Sequence, residues 1–241
     1  MGAEGRGSDI LLSRDARLRQ TERCCMNEAV KTTILIFGAL FPIVNPLGGT
    51  PVFLSITREA TSAERKTLAW RIAVNSFVLL VASLFVGTHI LSFFGISLPV
   101  VQVGGGLIVI STGWTMLNWK PEEDAREAVR RQARPSNVMG QAFYPLTLPL
   151  TVGPGSISVA ITLGANFPHH PFVSVMAIVT GVVGSLLTAL SVWVCYGFSE
   201  RLARLIGETG MGVVMRLSSF LLVCIGVQIV WNGVSALLRS L

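Results

Sequence analysis

Two short stretches concentrate the residues able to do chemistry. In Phe41-Pro42-Ile43-Val44-Asn45-Pro46-Leu47-Gly48-Gly49-Thr50-Pro51, three prolines and two glycines surround Asn45 and Thr50. In Tyr144-Pro145-Leu146-Thr147-Leu148-Pro149-Leu150-Thr151-Val152-Gly153-Pro154-Gly155-Ser156, three more prolines and two glycines surround Thr151 and Ser156. Proline removes a backbone donor and strands the carbonyl one turn earlier, and glycine adds freedom, so both stretches are expected to interrupt a helix. Amides near Gly48-Gly49-Thr50 and Gly155-Ser156-Ile157 are then expected to lack helical partners and to act as receptors for an anion or carboxylate. Freed carbonyls around Ile43, Val44, Thr151 and Val152, with the side chains of Asn45, Thr50, Thr151 and Ser156, can hold an ammonium group or a coupling cation. The implied chemistry is capture of a small zwitterion by neutral groups. Its candidate residues are Asn45, Pro46, Gly48, Gly49, Thr50, Thr151, Gly153, Pro154, Gly155 and Ser156.

The elements that must position these residues follow from composition. Of the 241 residues, 51% are hydrophobic and only 13% charged, about half the ~25% charge of soluble domains. The chain reads as an all-α polytopic membrane protein with six segments, at about 29–57, 72–94, 96–118, 139–166, 171–197 and 214–238. Stretches of about 20 apolar residues cross a bilayer core. The two interrupted stretches lie in segments one and four. Thr61-Ser62-Ala63-Glu64 has capping-box spacing and predicts a helix start before segment two. Pro121-Glu122-Glu123-Asp124, followed by Arg126, Arg130, Arg131 and Arg134, predicts an amphipathic surface helix in the 119–138 connection.

Charge sets orientation. Twelve Lys and Arg fall in the connections 58–71, 119–138 and 198–216, and none in 92–98 or 165–171. The positive-inside rule makes the basic side cytoplasmic and places both termini outside. The net charge of +6 therefore records topology, not nucleic-acid binding, since neither aromatic interleaving nor a continuous basic patch accompanies it. Residues 1–25 are a polar extension, read either as a disordered tail or as sequence preceding a start at Met26. Cys195 and Cys224 sit in apolar runs and read as small hydrophobes.

An offset of 108 aligns Val44-Asn45-Pro46-Leu47-Gly48 with Val152-Gly153-Pro154-Gly155-Ser156. This divides the membrane domain, 26–241, into repeat one (29–118), the linker 119–138 and repeat two (139–238). Three spans per half make the halves opposite in topology, and matched discontinuous helices in such halves point to a midplane site. All 13 Asp and Glu lie outside the six segments, which argues against a buried carboxylate relay. His89 is the only histidine within a span and lies near its end. Gly104-Gly105-Gly106 with Gly113, and Ala177, Gly181 and Ser185, read as faces for close helix packing. Gln228 and Asn232 share a face of segment six, where they either support the unwound backbone or lock two helices together. Asn75, Ser76, Gln102 and Asn118 read as interfacial.

The two breaks, together with Gly104-Gly105-Gly106-Leu107 and Gly226-Val227-Gln228 through Asn232-Gly233, resemble the MarC family of integral membrane proteins. The resemblance runs from about Met26 to Leu241. It implies kinship with LysE-type transporters, some members being transporters of small neutral amino acids such as glycine and alanine, and a place in the bacterial cytoplasmic membrane. The expected function is secondary transport of a small zwitterion by alternating access, with a proton or sodium ion as candidate coupling ion and no other cofactor. A channel or a non-transporting sensor is the alternative. No catalytic or metal-ligating set is expected, because a protease would need a buried base and Ser156 has no evident partner. The expected partners are the lipid bilayer and the small substrate, with no nucleic acid; a homo-oligomer is compatible with the sequence.

Overall fold

The computed structural model describes residues 26–58, 60–118, 140, 142–167 and 171–239, and among them every regular element is helical. Residues 26–44 form α1 and Pro46–Ile56 form α2; Ser62–Phe93 is α3 and Leu98–Leu117 is α4. A π-helical element, α5 (Phe143–Thr151), leads into α6 (Pro154–Ala165), and α7 (Pro171–Gly197) and α8 (Ser199–Arg239) complete the chain. Among the described residues five helices are long and apolar enough to cross a membrane, or six when α5 and α6 count as one span bent by 63°. Val78, Val86, Leu186, Leu217 and Phe220 are all more than 48% exposed, as lipid-facing residues of a polytopic protein must be. The expected surface helix at 119–138 and the extension 1–25 lie outside the described residues.

Packing is reciprocal between the halves. Helices α3 and α7 pair, as do α4 and α8; α2 packs on α7 and α8, while α6 packs on α3 and α4. Each short helix after a break thus rests on the second and third long helices of the other half. The α4–α8 pair is antiparallel and unusually close: a Cβ on Gly106 would lie 2.9 Å from the Gly226 carbonyl oxygen, and one on Gly233 would lie 2.7 Å from that of Pro99. Only glycine allows such backbone approach. The small residues of α7 serve the same end, with Gly181 under Phe85 of α3 and Ala177 buried.

The basic end is tied by Arg65. Thr61 and Glu64 complete the expected capping box at the start of α3. One turn inside, the Arg65 side chain is buried and donates to the Thr57 hydroxyl at 3.1 Å, to the Thr57 carbonyl at 2.7 Å, to the Ala60 carbonyl at 3.1 Å, and to Glu200 of α8. It therefore closes the C-terminal end of α2 and joins it to both halves. Arg65→Met should lower unfolding free energy by about 2–3 kcal/mol, since several charge-assisted bonds lose their donor at once; thermal unfolding in detergent would report it. The segment 198–216, expected as a connection, is instead helical, with α8 kinked at Gly207 (φ 75°) before its membrane portion Thr209–Arg239. A glycine there admits the left-handed turn that separates a surface helix from a span.

Candidate functional site

Both interruptions form, by different means. At the first, Asn45 alone leaves the helix, at φ 47° and ψ 56°, a left-handed conformation that asparagine tolerates better than most residues. Its side-chain oxygen accepts the Gly48 amide at 3.1 Å, and its carbonyl accepts the Gly49 amide at 3.0 Å. Residues 26–56 consequently run on as one 31-residue span. The expectation of free amides at Gly48 and Gly49 is thus corrected: the N-cap asparagine has already filled them. What remains is the opposite end of the same amide, because Asn45 Nδ2 is buried without a partner.

The second break is larger. Tyr144 and Leu148 each precede a proline and adopt extended angles within α5, because the proline ring disfavours helical geometry at the residue before it. Both prolines follow cis peptide bonds. Threonine hydroxyls bond carbonyls five residues back: Thr147 donates to the Ala142 carbonyl and Thr151 to that of Leu146, both at 2.7 Å. Gly153 then caps α6 with Pro154 in its first turn, as Asn45 caps α2 with Pro46 in its first turn. The two caps differ in backbone, however: Asn45 is left-handed and caps with its side chain, whereas Gly153 is extended, at φ −91° and ψ 175°, and has none. The Ile157 amide bonds the Gly153 carbonyl at 3.1 Å and the Ser156 hydroxyl donates to the same oxygen at 2.9 Å. Ile157 is thus also removed from the expected receptors, which leaves the Gly155 and Ser156 amides at the head of α6.

The two breaks meet at a residue that span composition does not single out. Tyr196 of α7 is fully buried and stacks on Phe53 of α2, ring centroids 4.6 Å apart and planes 7° from parallel. A Cβ on Gly49 would lie 2.5 Å from the Tyr196 hydroxyl, so that hydroxyl sits over bare backbone at the first break. On its other side it is 3.2 Å from Thr151 Oγ1 at the second break. Since the Thr151 proton is directed to Leu146, Tyr196 is the donor in this pair. The one sign available in sequence was a phenol within a charge-free span, which needs a polar partner when buried.

A model of the MarC family, described as MarC family integral membrane protein, matches residues 30–238. The chain belongs to the MarC family. It is 32% identical over 207 residues to a protein of Salmonella typhimurium (strain LT2) named UPF0056 inner membrane protein MarC, covering 83% of this chain and 93% of that protein. Proteins of the same name from Citrobacter koseri and Escherichia coli O1:K1 are 31% and 30% identical over the same shares. No solved structure matches. The family places the chain in the inner membrane, in keeping with its spanning helices.

Within this MarC chain the other expected site residues are placed as follows. Thr50, Thr151 and Ser156 are buried, and each hydroxyl already donates to a nearby backbone carbonyl, so what each offers a ligand is acceptor capacity. Gly155 lies against α4, where a Cβ would meet Val109 Cγ2 at 2.0 Å. Gln228 and Asn232 do not support the breaks: they are exposed, and Gln228 Nε2 donates to Asn232 Oδ1 at 2.9 Å. The cause is the α4–α8 contact, which turns Gly226, Val230 and Gly233 inward and these amides outward. Asn75, Ser76 and Gln102 turn toward neighbouring helices. Because α3 begins at Ser62, residues 75 and 76 fall well inside it; Ser76 is fully buried, and Asn75 reaches Thr147 at 3.5 Å. Gln102 reaches Thr162 of α6 at the same distance. Asn118 is exposed at the end of α4 and His89 is exposed near the end of α3, as expected. Beside Asn75, a cavity of about 340 Å³ opens between Trp70, Arg71, Gly140 and Phe143, at the α5 end of the second break.

Proposed function

We propose that this MarC-family protein is a secondary transporter of small neutral amino acids or similarly small metabolites, with the two breaks as its substrate site. The observation that carries this reading is the convergence of the breaks on Tyr196, each carried by a short helix seated on the opposite half of the molecule. A substrate lodged there would contact both halves at once, which is what alternating access requires of its site. The groups on offer suit a zwitterion. Asn45 Nδ2 and the leading amides of α6 are donors for a carboxylate, while the hydroxyl oxygens of Thr50, Thr151 and Ser156 are acceptors for an ammonium group. The cavity beside Asn75 supplies an approach from the basic, cytoplasmic end, and a proton or sodium gradient is the candidate driving force.

Proteoliposomes holding the purified protein should accumulate labelled alanine or glycine, more strongly with a proton or sodium gradient than without. Absence of uptake and of exchange across a broad amino-acid panel would remove this reading. Single-channel conductance in the same membranes would replace it with a pore.

A further inference from the structure

We propose that the chain pairs with a second copy of itself through the outward face of α8, with Gln228 and Asn232 as the polar centre of the seam. Half a turn from the residues that meet α4, the positions Leu217, Leu221, Cys224, Gln228, Trp231 and Ser235 recur at steps of four and three. That is a heptad seam, the spacing at which two helices pack side by side at a small crossing angle. Leu217, Leu221 and Trp231 are 59%, 50% and 64% exposed, and Cys224 is exposed as well.

Depth makes this face more than an apolar surface. Residues 217–238 carry no charge between Arg216 and Arg239, a length of about 33 Å at 1.5 Å per residue, matching a bilayer core. Gln228 is near its middle, where lipid tails offer no hydrogen-bond partner. The Gln228–Asn232 bond satisfies one donor and one acceptor. Gln228 Oε1 and Asn232 Nδ2 have no partner among the described residues. One is an acceptor and the other a donor, one turn apart on the same face. Copies inserted in the same orientation and related by a two-fold axis along the membrane normal bring α8 parallel to its counterpart, so Gln228 meets Gln228 and Asn232 meets Asn232 of the second copy, and each carboxamide keeps an N–H and an oxygen lone pair with which to bond its counterpart across the axis. The same geometry sets Cys224 opposite Cys224 of the second copy.

That cysteine makes the seam testable in native membranes. In the full chain with Cys24→Ser, Cys25→Ser and Cys195→Ser, mild oxidation should link Cys224 into a dimer of twice the monomer mass. With Cys224→Ser added and Val78→Cys placed on α3, which is 57% exposed and away from the seam, the dimer should be near background. Gln228→Leu with Asn232→Leu should cut Cys224 linkage about tenfold, the loss expected for a pair of amide hydrogen bonds in lipid. Equal linkage at Cys224 and Val78→Cys, linkage untouched by the double leucine variant, or linkage of Cys224 only to another protein would each overturn the proposal.

Discussion

Tyr196→Ala should destabilise the protein by about 3–5 kcal/mol, the range for emptying a buried aromatic site, and should abolish uptake. The ring is fully buried, stacked on Phe53, and its hydroxyl lies between Gly49 and Thr151. Tyr196→Phe separates packing from the polar link. The ring stays, and Thr151 keeps its bond to the Leu146 carbonyl, so the stability cost is only about 1 kcal/mol. Uptake should nevertheless fall steeply, because the hydroxyl is the group that touches both breaks. Thermal unfolding in detergent, paired with uptake in proteoliposomes, measures the two effects separately. Wild-type uptake in the phenylalanine variant would show that the convergence at this hydroxyl is architectural and not part of transport.

Gly155→Leu is the second large effect. A Cβ there would stand 2.0 Å from Val109 Cγ2 and 3.4 Å from the Gly105 carbonyl oxygen, so the longer side chain must drive α6 away from α4. Overpacking of this kind costs about 1–3 kcal/mol or more. The displacement moves the N-terminus of α6 away from the Tyr196–Thr151 link, and uptake should be lost while the chain still inserts in the membrane. The milder Gly155→Ala tests the cause, since Val109→Ala in the same chain removes the clashing methyls and should recover much of the lost stability and uptake. Failure of that recovery would point away from the α4 contact. Wild-type uptake by Gly155→Leu would remove the second break from the site.

Much of this arrangement was legible in the sequence, for identifiable reasons. Spans are legible because a bilayer imposes length and apolarity on every residue of a helix, so α4 and α7 lie close to their expected bounds, while α3 ends where expected and starts ten residues earlier, at its capping box. The second break was legible because Pro145 and Pro149 each remove a backbone donor and disfavour helix at the residue before, and Pro154 marks the start of a new helix. The first break was over-read. Its prolines and glycines suggested extended unwinding, yet one left-handed asparagine absorbs the whole interruption and caps the next helix with its own side chain. Gln228 and Asn232 were placed with the breaks because shared-face spacing says which residues point together, not in which direction.

Composition and proline placement establish an all-helical membrane protein, its charge-free spans, and the two positions at which helices must break. These are properties of single segments in a uniform solvent, and hydropathy with proline chemistry is enough to read them. What the breaks touch depends on how the helices pack. Tyr196 reaches Gly49 and Thr151 because α7 packs on α2 and the glycine lacks a side chain; Asn75 faces Thr147 because α3 packs on α5; Gln228 faces outward because the glycines of α8 are taken by α4. Each is a choice of rotation about a helix axis. The packing of neighbours sets that rotation, and in spans apolar on every side the sequence leaves it open.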